Sequence, residues 1–313
     1  MPEEKLIVLD SNSLIHRAFH ALPPLETSKG EEMGAVYGFL LAFFKVVKDF
    51  YPDYMVACFD YPAPTFRHKR FKEYKAKRPA MPKELRSQIP KVKEVLEAFG
   101  VPVVEKKGFE ADDLIGSITK SFLAKKNFTQ GGIVVITGDL DLLQLVDEQT
   151  RVYLLRRGIK NAVLYDKGKV KERYSGIVPT QLDDLRALKG DPSDNIPGVP
   201  GIGKKTAIQL LKEFSDIESL YENIEKVSEI GGVGNKTERL LIKNKEQVFL
   251  SKELAEIKKD VELRLSLEQC RWGHADKEEL RKLLGKWRFK TLVDRLSEVL
   301  GDSKIKKENL SFW

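Results

Sequence analysis

The sequence predicts an α/β protein: a central, mainly parallel sheet flanked by helices, followed by a helical region built around a glycine hairpin. Three observations lead there. Three short apolar runs, 6–9, 54–59 and 133–136, each end at a carboxylate, Asp10, Asp60 or Asp139. Between them lie stretches of helical periodicity at 33–50, 85–99 and 112–125. From about residue 178 the texture changes to helices separated by glycine turns, with no further strand pattern. Strands that alternate with helices need crossovers, which give a parallel sheet covered on both faces.

Taken in order, the run 6–9 is uniformly apolar, as expected of a strand buried on both faces. The stretch 33–47 is the longest apolar one, and Lys45 interrupts it, so no membrane span is expected. The helix at 85–99 has Gly100 as its stop, and the helix at 112–125 opens on acidic residues that suit its dipole. In such sheets ligands sit beyond the carboxyl ends of the strands, where Asp10, Asp60 and Asp139 would stand. An Asp after a strand is also a common turn residue or helix cap, so it is the three together that point to a shared site.

Whole-chain properties narrow the class. The 313 residues, 42% hydrophobic, can fill a sizeable core, and the formal charge of +7 suggests a polyanionic partner. Cys58 and Cys270 stand alone, without disulfide or zinc-site spacing, and the first residues lack the basic and apolar regions of an export signal. A cytoplasmic, monomeric protein is expected.

Further acids cluster: Glu110-Ala-Asp112-Asp113, Asp139-Leu-Asp141 and Asp191-Pro-Ser-Asp194. In extended chain Asp139 and Asp141 would share a side, and across one helical turn Asp191 and Asp194 would share a face, as would Glu110 and Asp113. Nine carboxylates in one cleft repel, so they need cations or raised pKa values to coexist. Oxygen ligands without His or Cys select Mg²⁺ or Mn²⁺, and two such ions ~4 Å apart are suited to phosphodiester hydrolysis.

Residues 65–93 carry eleven Lys or Arg against Glu73 and Glu84, with Phe66, Phe71 and Tyr74 interleaved. Cations for phosphates and aromatic faces for unpaired bases suit a single-strand channel. Pro79 and Pro82 would break it into two helices with a turn. Gly198, Gly201 and Gly203 precede a helix start whose free N–H groups, with Lys204 and Lys205, suit backbone contact with duplex DNA. The spacing is not that of a nucleotide-binding P-loop. A degenerate echo follows at 231–237.

The motifs TFRH with FKEYKAKRP, GFEADD, TGDLD and KGDPSDNIPGVPGIGKKTA resemble the 5′ nuclease domain of bacterial DNA polymerase I, within the flap endonuclease superfamily, over roughly residues 6–296. The resemblance implies a PIN/5′ nuclease-like fold and a 5′-3′ exonuclease and flap endonuclease acting in replication and repair. It implies a metal site formed by Asp10, Asp60, Glu110, Asp112, Asp113, Asp139, Asp141, Asp191 and Asp194. It also implies a helical arch in which Tyr74, Lys75 and Arg78 face the scissile phosphate with Arg17 nearby. Arg67 and Arg70 are expected to contact DNA, and the glycine hairpin becomes a helix-hairpin-helix element that holds K⁺. Expected substrates are DNA with a 5′ flap, nick or gap and RNA-primed DNA, with a separate DNA polymerase as partner. The division is an α/β core at 1–177 with the arch at 65–93, a helical region at 178–300 with the hairpin at about 190–250, and a polar tail at 301–313. The sequence departs from the family at Ser11-Asn12-Ser13, where Gly-Ser-Ser is usual, and at Leu140, where a Lys is usual.

Two other classes compete: a structure-specific DNA-binding protein that has lost its metals, and a small-molecule phosphohydrolase. The complete acid set argues against the first, and the basic segment and hairpin have no use in the second.

Overall fold

The structure, a computed structural model, describes residues 4–27, 30–125, 128–155 and 162–301, so the expected tail lies outside the described residues apart from Gly301. One sheet holds β1 (Leu6–Asp10), β2 (Tyr54–Cys58), β3 (Val103–Val104), β4 (Ile133–Thr137), β5 (Thr150–Leu154) and β6 (Val163–Tyr165), in the order β3-β2-β1-β4-β5-β6. The first five strands pair in parallel, and β6 closes the edge antiparallel to β5. The expected parallel sheet is therefore present with three strands beyond the three apolar runs. Those three carry weaker patterns: β3 and β6 are very short, and β5 alternates buried and half-buried residues.

The helices are α1 (Ser11–Ala21), α2 (Gly34–Phe50), α3 (Phe66–Arg70), α4 (Lys83–Arg86), α5 (Ile89–Ala98), α6 (Ala111–Lys125), α7 (Lys167–Arg173), α8 (Leu182–Lys189), α9 (Lys204–Phe214), α10 (Ile217–Glu222), α11 (Gly234–Lys243), α12 (Lys245–Ala255), α13 (Lys277–Lys286), α14 (Lys290–Asp294) and α15 (Leu296–Val299). The strand period of two sorts the core into two layers. Ile7, Leu9, Met55, Ala57, Val134 and Ile136 face α2 and α5, and Leu6, Val8, Val56, Cys58, Ile133 and Val135 face α6 and the middle helices. The last helices return to the first layer, where Leu280, Leu284, Trp287 and Leu292 pack beside Phe39, Phe43 and Phe99. Cys58 and Cys270 are buried free thiols. No described helix is long and apolar enough to cross a membrane.

The single helix expected at 85–99 is two. Pro90, in the first turn of α5, has no N–H with which to continue a ladder from α4. The chain uses the break: the wholly buried Gln88 accepts from the N–H groups of Ala35 (2.8 Å) and Val36 (3.2 Å), satisfying the otherwise orphaned start of α2. The basic segment does hold two helices, α3 and α4, on either side of Pro79 and Pro82, but both are short. Past α3, residues 72–77 form turns, with Lys75 at φ 55° in the left-handed region.

Candidate active site

The site begins at the ends of β1, β2 and β4. Asp10 closes β1 and caps α1, accepting from the Ser13 N–H (3.2 Å), and its second oxygen accepts from the Thr137 hydroxyl (2.5 Å) at the end of β4. The Thr137 oxygen in turn accepts from the Asp139 N–H (2.8 Å). Asp60, just past β2, accepts from the N–H of Ala111 (2.8 Å), the first residue of α6, which brings Glu110 and Asp112 to the same place. Asp10, Asp60, Glu110, Asp112 and Asp139 then line one cleft of about 1040 Å³, together with Arg17, Lys75 and Arg78. Arg17 is held there by donating to the Gly138 carbonyl (3.0 Å).

The charges in this cleft are strained. Burial pushes Asp10 up to about 7, against the pull of the Thr137 hydroxyl and with added repulsion from Asp139 and Asp60. Burial, then Asp10 and Asp139, hold Asp112 well above the usual carboxylate range. Asp60, though open to the cleft, is raised by the same desolvation. Added positive charge would favour the ionised forms of these acids.

The remaining acids have other surroundings. Asp113 is wholly buried and saturated: its oxygens accept from Arg67 Nη1 (2.7 Å) and Nη2 (2.8 Å) and from the N–H groups of Glu110 (3.1 Å) and Lys258 (3.0 Å). It is therefore a structural anchor rather than the expected metal ligand, because no lone pair is left to face the cleft. Arg67 likewise is not the expected DNA contact. It is 3% exposed, and besides Asp113 it donates to the carbonyls of Leu254 (2.9 Å) and Glu256 (2.7 Å) around the end of α12. Arg70 is exposed and pairs with Glu253 (2.8 Å).

Asp139 and Asp141 do not share one side, because the chain turns there: the Asp141 N–H donates to Asp139 Oδ1 (2.9 Å) and opens a short 3₁₀ turn. Asp141 instead meets Arg186 from α8, while burial pushes its carboxyl up to about 7 in spite of that cation. Asp191 and Asp194 lie not on a helix but in a turn closed by a bridge between Asp191 and Ile196. Arg186 Nε stands 3.6 Å from Asp191, which also accepts from the Ser193 N–H (2.9 Å) and hydroxyl (2.6 Å).

The basic segment folds down onto the acids. Tyr74, 3% exposed, donates between Glu110 and Asp194, 3.1 Å from each; Lys75 Nζ lies 3.0 Å from Glu110 and 3.7 Å from Asp194; Arg78 pairs with Asp194. Burial alone would raise Asp194, but Lys75 and Arg78 hold it below its ordinary value. Among the described residues, no group of three or more His, Cys, Asp and Glu is gathered tightly enough to hold a bare metal ion.

Sequence reasoning missed Asn12, Ser13, His16 and His20, which line the cleft. Ser13, His16, Arg17 and His20 fall on one stripe of α1 running from Asp10, a spacing that could have found them. Tyr61 and His68 line it too. Arg186 gave no signal.

At the hairpin the close packing is internal to the chain. Gly198, at φ 58°, packs so tightly that a Cβ there would lie 2.1 Å from the Gly190 nitrogen. Gly201 has φ 92°, and Gly203 precedes α9, whose first residues are Lys204 and Lys205. Gly203 has open space around it.

Comparison with known proteins agrees with this fold. Residues 5–175 match the family model for the 5′-3′ exonuclease N-terminal resolvase-like domain, and residues 177–278 that for the 5′-3′ exonuclease C-terminal SAM fold. The chain is 42% identical to DNA polymerase I of Bacillus subtilis (strain 168) over 295 residues, covering 94% of this chain and 32% of that protein. It is 42% identical to DNA polymerase I of Caldicellulosiruptor bescii over 300 residues, covering 95% and 34%. The chain thus spans about a third of the length of these relatives. Among solved structures, it is similar to the 5′-exonuclease of bacteriophage T5 with bound zinc (TM-score 0.63, 20% identity, covering 92% of this chain and 98% of that one). It is also similar to the catalytic core of Rad2 with a DNA substrate (TM-score 0.60, 19% identity, covering 96% and 92%). At these identities the structures speak to the fold alone, while the two family models together span most of the chain. The chain belongs to the 5′-3′ exonuclease family.

Proposed function

We propose that the protein is a divalent-metal-dependent, structure-specific 5′ nuclease that hydrolyses DNA at flaps, nicks and gaps. The observation that carries this reading is the cleft at the strand ends, where five carboxylates meet Arg17, Lys75 and Arg78. The donor set fits a hard divalent cation: burial raises the carboxyls of Asp10, Asp60 and Asp112, neighbouring carboxylates add repulsion that a cation would offset, and Mg²⁺ keeps much of its water, so it does not need a tight cage. Asp10, Asp60, Glu110, Asp112 and Asp139 would hold one ion, and Asp139, Asp141, Asp191 and Asp194 a second. Such ions supply a water of lowered pKa and stabilise charge on the phosphate and the leaving oxygen.

The chain's own groups do the rest. Lys75 and Arg78, released from Glu110 and Asp194, bind the scissile phosphate and stabilise its developing charge, and Arg17 adds a third positive group. Tyr74 keeps Glu110 and Asp194 in place. The hairpin at Gly198, Gly201 and Gly203 grips duplex backbone with Lys204 and Lys205, and Arg70 adds a phosphate contact from the basic segment. A K⁺ ion at the hairpin, removal of RNA primers, action beside a DNA polymerase, and the division into a core at 1–177 and a DNA-gripping part from 178 belong to the same proposal. The neighbours' bound zinc and DNA substrate support it.

The test is cleavage of a 5′-labelled flap duplex with Mg²⁺ and with EDTA, beside an unbranched duplex of equal length. Metal-dependent cutting near the flap base is the expected result. Tight binding without cutting would establish the non-catalytic alternative, and hydrolysis of a soluble phosphate ester with none of DNA would establish the phosphohydrolase.

Lys204→Ala is expected to weaken duplex binding and to reduce the slope of log affinity against log salt by about one. Fluorescence anisotropy over a salt series measures it, and an unchanged slope would remove the hairpin contact.

The raised acids predict how metal stabilises the fold. Burial pushes the carboxyls of Asp10 and Asp141 up to about 7 in the folded chain, against an ordinary 3.8, so between these values the folded chain binds more protons than the unfolded one. Their contribution to metal-free stability is present below the lower value and lost as pH rises through the upper one. Metal needs the ionised forms, so Mg²⁺ is expected to raise Tm more above pH 7 than near pH 5. Thermal melts with and without Mg²⁺ check this, and an equal shift at both pH values would contradict it.

A further inference from the structure

The nine acids divide by what touches them. Five line the cleft, Asp113 belongs to Arg67, and Lys75 and Arg78 reach Asp194 from the basic segment. Asp141 and Asp191 differ from these, because the cation in contact with both, Arg186, comes from the protein's interior, with Lys189 of the same helix acting on both from farther off. Arg186 is 6% exposed; its Nη2 donates to Asp141 Oδ1, its Nε stands 3.6 Å from Asp191 Oδ2, and its Nη1 donates to the Leu182 carbonyl (3.5 Å) one turn back on α8. Leu140, between Asp139 and Asp141, packs against the apolar core, so the positive charge at this corner comes from α8 rather than from the neighbouring residue. A divalent ion entering here meets a desolvated guanidinium bonded to Asp141 Oδ1 and close to Asp191 Oδ2.

We infer that Arg186 is a resident counter-cation that sets the affinity of the Asp141–Asp191 corner for a second divalent ion, leaving the Asp10, Asp60 and Asp112 side to bind the first more tightly. The inference rests on the metal-dependent reading above. Its physical content is a sign: one buried positive charge a few ångströms from an incoming ion, at an effective dielectric of about 20, weakens binding by tenfold or more. A guanidinium that only ties α8 to the turn after β4 acts oppositely, since removing it would disorder the corner and weaken binding there.

The experiment is calorimetric titration of Mn²⁺ into the whole chain near neutral pH without DNA, with electron paramagnetic resonance to count bound ions. It compares wild type with Arg186→Gln and Arg186→Met, which remove the charge, and Arg186→Lys, which keeps one. Expected are a tight and a weak site in the wild type, tightening of the weak site by about tenfold in the neutral variants with the tight site moved much less, and wild-type behaviour for Lys. Loss of second-site affinity in the neutral variants, an equal shift at both sites, or failure of both neutral variants to fold while Lys folds would overturn the inference and make Arg186 a structural tie. Wild type that binds no Mn²⁺ would remove the metal reading itself.

Discussion

Asp139→Asn is expected to lower kcat on a flap substrate roughly 10²–10³-fold, the worth of a few kcal/mol of transition-state charge stabilisation. Affinity for the same DNA, measured in EDTA, should hardly fall. The substitution is close to isosteric, and the amide oxygen of Asn can still accept the Asp141 N–H that Asp139 Oδ1 accepts, so the turn after β4 keeps its shape. What is lost is one negative charge in the cleft. On the proposed reading, DNA affinity comes from the cations, Lys75, Arg78, Lys204 and Lys205 among them, and removing a carboxylate from their midst reduces repulsion with phosphate rather than attraction. The two quantities therefore separate if Asp139 positions metal. Single-turnover cleavage and anisotropy, run on the same preparation, give both numbers, and equal losses would count against the metal assignment.

The acids were readable in the sequence because local rules place them. An apolar run that ends in Asp puts that Asp at a strand end, and the structure brings Asp10, Asp60 and Asp139 to one cleft with Glu110 and Asp112. Which acids face the cleft was not readable. The partners that claim the others come from far along the chain: Arg67 reaches across 46 residues to Asp113, and Arg186 across 45 to Asp141. Both arginines sit in unremarkable helical contexts, and nothing in their spacing signals a buried ion pair. The expected pairing of Asp139 with Asp141, and of Asp191 with Asp194, failed for a related reason. Each assumed a regular strand or helix where the chain makes a side-chain-directed turn, in which the first Asp accepts an N–H two residues on. The edge strands β3 and β6 were missed because two or three residues cannot show a period.

Arg67 lies within the basic segment, where sequence reading made it a DNA contact, and its surroundings predict a different phenotype. Arg67→Ala should cost about 3–5 kcal/mol of stability, because it leaves the wholly buried Asp113 carboxylate without its cation. The same change frees the carbonyls of Leu254 and Glu256, so the end of α12 loses its tie to α3. Glu110 also loses a neighbour 3.4 Å away, and the cleft should loosen on the side where Tyr74 and Lys75 meet it. Replacing both partners, Arg67→Met with Asp113→Leu, removes the stranded charge and should recover much of the stability, since a buried pair and an apolar pair of similar volume are close in free energy. A DNA contact behaves otherwise: its loss would leave stability alone and reduce the salt slope by about one. Urea unfolding of the single and double variants, beside a salt series of DNA affinity for Arg67→Ala, separates the two roles. A stable Arg67→Ala protein with a reduced slope would return Arg67 to the DNA surface.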